Sequence, residues 1–408
     1  MVTSSAVMGL VSVDTIREAR ELLAAVVRET PMEHARDLES AHGGPVHLKC
    51  ENLQRTGSFK IRGAYTRIHG FSEAERGRGV VAASAGNHAQ GVALAASLLG
   101  TKATVFMPER APLPKLAATR GYGAEVHLHG EVLEESLAEA TAFAERTGAV
   151  FLHPFDHPDI IAGQGTVGLE ILDQLPEVAT VLVATGGGGL VGGVASAVKA
   201  VRPDVHVVGV QAEGAAAFPL SLSRGEPVRL ERTQTMADGI AVGAPGPVTF
   251  AHVRDLVDDV VTVNEESLSR AVLQCLERRK LVVEPAGAAA VAALLEHEGA
   301  FAPPVVAVLS GGNVDPLLLL QIIQHGMTAA GRYLSLRLCV PDRPGSLAGV
   351  LSRVSELGAN VLDVEHSRIS GRLAMGEVEI ALKLETRGPE HCETVAAQLQ
   401  RAGFTVML

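Results

Sequence analysis

Lys60 lies in the run Thr56-Gly57-Ser58-Phe59-Lys60-Ile61-Arg62-Gly63-Ala64, between two large apolar residues and among small ones. A lysine in such company loses hydration of its ammonium, and its pKa falls. The neutral amine that results is a nucleophile able to condense with a carbonyl. A lone lysine more often lays its stem along the surface and keeps its head in water. The run therefore needs partners elsewhere in the chain before it means catalysis.

Three loops offer them. Thr185 is followed by Gly186, Gly187, Gly188 and Gly189, then Leu190 and a helical stretch. Consecutive glycines let backbone N–H groups converge, and a helix start adds partial positive charge, so this loop suits a phosphate without any lysine. It is neither a GxGxxG fingerprint nor a Walker loop. A tight strand–helix turn is the plainer explanation, but four glycines exceed what a turn needs. The second loop reads Ser84-Ala85-Gly86-Asn87-His88-Ala89-Gln90-Gly91. Ser84 is a candidate N-cap, the free N–H groups of the helix start suit a carboxylate, and Asn87 is a neutral donor. The third, Ser310-Gly311-Gly312-Asn313, presents a hydroxyl to a ring nitrogen or caps a turn. An amine, a phosphate cradle, a carboxylate site and a ring-nitrogen partner are the set that pyridoxal phosphate requires.

The elements around these loops explain why they converge. Strand candidates at 46–50, 80–83, 103–107, 125–129, 180–184, 205–211, 259–263 and 305–309 alternate with helical stretches such as 89–99, 113–122, 133–147 and 190–201. That alternation implies βαβ units and parallel-rich sheets, and in open α/β sheets ligands bind beyond the carboxyl ends of strands. Near 325–331 the texture changes. Residues 334–340 alternate as a half-buried strand, 346–357 form an amphipathic helix, 360–368 and 377–384 form a hairpin about Ser370-Gly371, 392–402 form a helix, and 405–408 a last strand. The order βαββαβ is a ferredoxin-like unit.

Composition narrows the class. The chain has 408 residues, enough for roughly two to three domains. It carries a net charge of −11, no Trp and 3% aromatic residues. Without basic grooves or stacking platforms, nucleic acid is a poor partner. The four cysteines, Cys50, Cys275, Cys339 and Cys392, form no CxxC or metal-ligand spacing, which suits free thiols in a reducing compartment. No apolar run reaches the ~18 residues of a membrane span, and the first residues lack the basic start of a signal peptide. A cytoplasmic protein without a resident metal is expected.

Taken with Glu51-Asn52-Leu53-Gln54-Arg55, Ile161-Ala162-Gly163-Gln164-Gly165-Thr166 and Glu284-Pro285, the loops above resemble those of fold-type II pyridoxal-phosphate enzymes, and among them the threonine dehydratases (threonine ammonia-lyases). The resemblance spans nearly all of 14–325. It implies a tryptophan synthase β-like catalytic unit over 1–325, with a smaller subdomain at about 51–150 inserted in the larger one. By it, Lys60 joins the cofactor covalently and then serves as base for the substrate Cα proton. Gly186–Gly189 with Leu190 bind the cofactor phosphate, Asn87 meets its 3-hydroxyl, and Ser310 its pyridine nitrogen. Phe59 and the backbone at Gly239 enclose the ring, and Glu284 lies beside it. Ser84, Ala85, Gly86, Asn87, His88 and Phe155 receive the amino-acid substrate. The reaction implied is β-elimination of L-threonine to 2-oxobutanoate and ammonia, with L-serine to pyruvate beside it.

Rival readings differ at particular residues. Serine racemases that resemble this chain carry a serine where Ala85 stands and often an asparagine where Phe155 stands. Their divalent-metal site keeps a counterpart in Glu213 but meets Pro219 in place of a carboxylate, leaving at most an alkali ion. Other β-hydroxy amino acids, such as 3-hydroxyaspartate, remain open as substrates. A β-replacement enzyme has a different asparagine loop, and a non-catalytic amino-acid sensor is opposed by the complete set of loops. Residues 333–408, after a linker at 326–332, resemble an ACT domain through Val340-Pro341-Asp342-Arg343-Pro344-Gly345 and Asn360. That resemblance implies an effector site at Asp342, Arg343, Gly345 and Asn360, with a branched-chain amino acid as the expected effector, or else a pairing module with no ligand. A homodimer or homotetramer is expected by the same resemblance.

Overall fold

The computed structural model describes residues 9–369 and 373–407. The chain divides into two compact units between Leu319 and Leu320, within the helix Pro316–Ala329.

The first unit holds two sheets. The larger has six strands, in the order Met32–His34, Val46–Lys49, Val305–Val308, Thr180–Ala184, His206–Ala212 and Asp259–Val263. All its pairings are parallel except the first. The smaller sheet has four parallel strands, in the order Glu125–Leu128, Ala103–Met107, Val80–Ala83 and Val150–Phe151. The central strands are buried along their whole length, as Val305-Val306-Ala307-Val308 illustrates. That is the expected consequence of helices covering both faces of a parallel sheet. The short strands Met32–His34 and Val150–Phe151 are not among the candidates from sequence. They are three and two residues long, below the length at which an alternating pattern registers.

One helix organises this unit. Pro158–Gln174 starts with Pro158 in its first turn, and the His157 ring accepts the N–H of Asp159 as its cap. Every residue from Ile160 to Leu172 is buried. Its glycines lie close against neighbouring backbone. A Cβ on Gly163 would stand 2.6 Å from Gly63 Cα and from the carbonyl oxygen of Arg62, and one on Gly165 would stand 2.9 Å from the carbonyl oxygen of Gly193. So the helix Lys60–His69 and the helix Gly189–Val201 both lie directly against Pro158–Gln174.

The second unit has strands Tyr333–Pro341, Asn360–Ser367, Glu377–Glu385 and Thr405–Met407, with helices Ser346–Glu356 and Pro389–Arg401. Its antiparallel sheet runs Asn360–Ser367, Glu377–Glu385, Tyr333–Pro341, Thr405–Met407. This is the βαββαβ order with the first strand inside. Leu334, Leu336, Leu338 and Val340 alternate inward and meet Val350, Val354, Val395 and Leu399 of the two helices. The second helix begins at Pro389, three residues before the position read from sequence, because proline suits the first helical position. The hairpin tip placed at Ser370-Gly371 lies outside the described residues.

Candidate active site

Lys60 opens the helix Lys60–His69, at the end of a loop that runs beside the Ser310 loop. The two loops are joined by backbone. The N–H of Phe59 donates to the Ser310 carbonyl at 3.3 Å, and that of Gly312 to the Gly57 carbonyl at 2.9 Å. Ser58 and Gly311 form an antiparallel bridge between them. Thr56 reaches φ +63° in this loop, a left-handed conformation uncommon for a threonine. The Lys60 amine donates to the Pro154 carbonyl at 3.0 Å and lies 5.2 Å from the centroid of the Phe59 ring. Desolvation lowers its pKa to about 8, against a weaker opposing pull from Glu284.

A buried ion network anchors the same helix from behind. The Arg62 guanidinium is wholly buried. It donates to both carboxylate oxygens of Glu51 at 2.8 Å, to Glu170 at 2.7 Å and to Thr166 at 3.0 Å. Lys49 completes the set with a 2.7 Å bond to Glu170. Two cations face two anions, so the network adds no net charge beside Lys60. Glu51 and Arg62 bracket the loop that carries Phe59 and Lys60.

The tetraglycine loop joins the strand Thr180–Ala184 to the helix Gly189–Val201. Gly188 sits at φ +94°, where glycine alone is relaxed. No side chain fits at its neighbours either. A Cβ on Gly187 would run into the Phe155 ring, and one on Gly189 would stand 3.0 Å from the Phe155 Cβ. A Cβ on Gly186 would meet the Ile240 Cα at 3.0 Å and the Gly239 carbonyl at 3.4 Å. The first N–H groups of the helix have no carbonyl one turn back to bond. The Leu190 side chain is in the core, so its backbone is what faces the loop.

Asn87 is held at both ends of its amide. Its Nδ2 donates to Glu284, and its Oδ1 accepts from Asn313 Nδ2 at 2.7 Å. Asn313 also donates to the Thr56 carbonyl at 2.6 Å. Desolvation pushes the Glu284 carboxyl up to about 7, with Asp238 adding to the rise and Lys115 opposing it. Lys115 and Asp238 form a 2.7 Å ion pair next to Gly239. Ser310 is buried, and its hydroxyl makes a long 3.5 Å contact to the Ala286 carbonyl.

The carboxylate loop departs from the sequence reading in two respects. The helix Asn87–Leu98 takes Gly86 as its N-cap, not Ser84. The Ser84 hydroxyl instead accepts the Gly86 N–H at 3.1 Å, two residues ahead of the cap position. The His88 ring is buried and bonded to the Leu152 carbonyl at 3.0 Å. Desolvation, with the Lys60 charge second, drives its pKa down to about 3, so it is neutral. Its Nε2 is taken up by the Leu152 carbonyl, while the backbone N–H lies at the start of the helix. Gly91 on this helix lies against the start of the lysine helix, its Cβ position 3.1 Å from the Lys60 carbonyl carbon.

Lys60, Phe59, the four glycines, Gly239, Glu284, Asn87, Phe155 and Ser310 thus meet around one space, with the loop from Ser84 to His88 at its side. The fit to pyridoxal phosphate rests on three features. They are a lysine amine made less basic by burial, a cradle in which any Cβ collides, and a serine hydroxyl held only by a long contact. Pro154, Asn313, Lys115 and Asp238 join the site without a role read from sequence. Asn313 lies in one of the recognised loops. A backbone carbonyl such as that of Pro154 has no residue signature.

The four effector candidates of the second unit do not come together in one chain. Asp342 follows the strand end that pairs with Glu377 and is bonded twice to Arg368, at 2.8 and 3.2 Å. Asn360 pairs with Glu385 and donates to its carboxylate at 3.2 Å. Glu377–Glu385 is 9 residues long, so the two ends are roughly 27 Å apart at ~3.4 Å per residue. Gly345, at φ +93°, precedes the helix Ser346–Glu356 at the Asp342 end, with Arg343 beside it.

Comparison with known proteins places this geometry. The family model described as pyridoxal-phosphate dependent enzyme matches residues 23–311. The L-threonine ammonia-lyase of Thermotoga maritima is 47% identical over 399 residues, covering 98% of this chain and 100% of the relative. Among solved structures, the processed form of threonine deaminase isoform 2 from Solanum lycopersicum has a TM-score of 0.72 at 36% identity, and the match covers 79% of this chain and 97% of that one. Maize serine racemase has a TM-score of 0.73 at 37% identity, and the match covers 77% of this chain and 97% of that one. By these matches the chain belongs to the pyridoxal-phosphate dependent enzyme family, on its threonine ammonia-lyase branch.

Proposed function

We propose that the protein eliminates water from L-threonine and releases an enamine, whose tautomerisation and hydrolysis by water give 2-oxobutanoate and ammonia, and that it converts L-serine to pyruvate and ammonia in the same way. The supporting observation is Lys60, whose amine is held at 3.0 Å from the Pro154 carbonyl in a desolvated setting with pKa about 8. The bound cofactor supplies an electron-withdrawing ring that acidifies the substrate Cα–H and lets the β-hydroxyl leave.

This chain's residues do the rest. Lys60 would hold the cofactor, and its amine, with a pKa lowered to about 8, would take the substrate Cα proton as a base poised near working pH. The backbone N–H groups of Asn87 and His88, at the start of the helix Asn87–Leu98, receive the substrate carboxylate. Asn87, fixed by Glu284 and Asn313, would offer its remaining amide N–H to the cofactor's 3-hydroxyl. Ser310 offers the ring nitrogen a neutral hydroxyl, which holds a proton there less well than a carboxylate would, and so favours prompt elimination. Ala85 has no group able to carry a proton, so racemisation lacks its second acid or base. Phe155 walls the space above Gly187.

The direct experiment follows 2-oxo acid release from a panel of β-hydroxy amino acids with the purified protein, together with the visible absorbance of the lysine-bound cofactor before and after borohydride. Lys60→Ala should abolish turnover while leaving the fold intact. Release of 2-oxobutanoate at the wild-type rate by that variant would overturn the assignment.

Regulation through the second unit belongs to the same proposal. An amino-acid effector, with a branched chain as the first candidate, would bridge the Asp342 end of one copy and the Asn360 end of another, since one copy separates them. This favours a dimer or tetramer, in the cytoplasm where threonine is available. Identical effector responses of the full chain and a 1–330 truncation would refute regulation by this unit.

A further inference from the structure

We infer that Asp156 is a positioning residue for the active site. It fixes the Pro154–Phe155 segment over the glycine cradle by capping a helix that begins far along the chain.

The segment links the strand Val150–Phe151 of the smaller sheet to the helix Pro158–Gln174 beneath the larger one. Two of its groups face the site. The Pro154 carbonyl accepts the Lys60 amine. The Phe155 ring covers Gly187, and the Phe155 carbonyl lies 3.1 Å from the Cβ position of Gly189. Proline and phenylalanine have no polar side-chain atoms to hold either group in place. At one end His153 Nδ1 accepts the N–H of Asp156 at 2.9 Å and that of Phe155 at 3.3 Å, which makes a local turn.

The longer tie is at Asp156. Its Oδ1 accepts the N–H of Val248 at 3.0 Å and that of Thr249 at 2.9 Å, with the Thr249 hydroxyl at 3.4 Å. These are first-turn donors of the ten-residue helix Pro247–Leu256, whose own N-cap is Gly246 and has no side chain to offer. A carboxylate at this place meets unsatisfied donors and the positive end of the helix dipole together. Gly246 is needed for it, since a Cβ there would stand 2.5 Å from the Asp156 Cβ and closer still to its carboxylate. The capped turn also touches the cradle directly, because the Thr249 Cβ lies 3.0 Å from the Cβ position of Gly188. One carboxylate therefore sets the helix start behind Gly188 and the ring in front of Gly187 in a fixed relation.

The hydrogen bonds of Asp156 go to His153, Val248 and Thr249, none of which is among the residues proposed to hold the cofactor or the substrate. It acts through Phe155, whose ring lies against Gly187 of the cradle, and through the carbonyl that accepts the Lys60 amine. The inference rests on the proposed reaction for the cofactor's place. The test therefore includes a readout independent of turnover.

Asp156→Ala, Asp156→Asn, Phe155→Ala and the Asp156→Ala/Phe155→Ala pair are prepared as holoenzymes. Two quantities are measured per bound cofactor: the ratio of kcat/KM for threonine to that for serine, and the rate of cofactor loss on dilution, read from the visible band. Loss of a charge-assisted bond of this kind should raise the dissociation rate of Asp156→Ala about tenfold and shift the ratio in the direction seen for Phe155→Ala. Asp156→Asn keeps the accepting oxygen and should restore both to within about threefold. The double variant should match Phe155→Ala in the ratio, because the two residues act as one unit.

A merely structural Asp156 would lower thermal stability and leave both quantities at wild-type values, and that result overturns the inference. So does a ratio in the double variant equal to the product of the single effects. If Asp156→Ala does not fold, Val248→Pro removes one donor with Asp156 intact and must raise the dissociation rate; no change refutes the idea. A wild-type protein that releases no 2-oxo acid refutes the proposed reaction, while cofactor dissociation still decides the role of Asp156.

Discussion

Lys60 sits where its chemistry depends on what surrounds it more than on what it touches. Its hydrogen bond to the Pro154 carbonyl would by itself favour the ammonium. Desolvation outweighs it and brings the pKa to about 8. Condensation with an aldehyde needs the neutral amine. Cofactor capture by the stripped protein should therefore accelerate as pH rises and level off above a midpoint near 8, when the visible band is followed in stopped flow. A midpoint at the ordinary lysine value would show that water reaches the amine. Glu284 behaves in the opposite sense. Burial holds its carboxyl up to about 7, and the bond from Asn87 only partly offsets that.

At the scale of elements, the helix Pro158–Gln174 is the reference for the whole site. The lysine helix meets it at Gly63 and Gly163, and the helix of the glycine cradle meets it at Gly165 and Gly193. These are contacts of backbone on backbone, which side-chain rearrangement cannot relieve. Gly163→Ala should destabilise the protein by about 1–3 kcal/mol or more through overpacking. It should also weaken cofactor binding, because the lysine helix must move away. Chemical denaturation with and without cofactor measures both, and equal stability of variant and parent would contradict the contact. Much of this arrangement is legible in the sequence, because long parallel strands and Gly-rich loops announce themselves by composition and position. Lys60, the tetraglycine and Ser310 are found that way. Ser84 has the residue type of a cap but not the place, since the helix starts two residues later than a Ser84 cap needs and Gly86 takes the position. His88 has the loop context of a ligand, yet its ring turns away to the Leu152 carbonyl. Asp156 leaves no trace in the sequence because its partners lie 92 and 93 residues away and are backbone groups.

For the whole molecule, two buried groups oppose each other in their effect on stability. His88 titrates at about 3 in the folded state, below the ordinary 6.5. Its contribution is complete above 6.5 and is lost as pH falls toward 3. Glu284 titrates at about 7, above the ordinary 4.5, so the folded state binds the extra proton between those values. Its contribution therefore falls as pH rises from 4.5 to 7. In the overlap the two slopes have opposite sign. Glu284→Gln keeps an acceptor for Asn87 and removes one of them. The Tm of the cofactor-free variant should then rise more steeply with pH between 4.5 and 6.5 than that of the parent. Parallel curves would show that Glu284 is ionised throughout.

The glycine cradle has a kinetic consequence. It offers a phosphate only backbone dipoles and a helix start, with no cationic side chain among Gly186–Leu190. The chain as a whole carries a net charge of −11. A cofactor bearing a doubly charged phosphate must therefore approach a molecule of its own sign, with no cation in the cradle to guide it. Long-range repulsion of this kind is screened by salt, whereas short-range dipolar contacts inside the cradle are not. Loading of the stripped protein should thus become faster as ionic strength rises from low values, with little change in the rate of release. That is the reverse of what a lysine- or arginine-lined phosphate site would show.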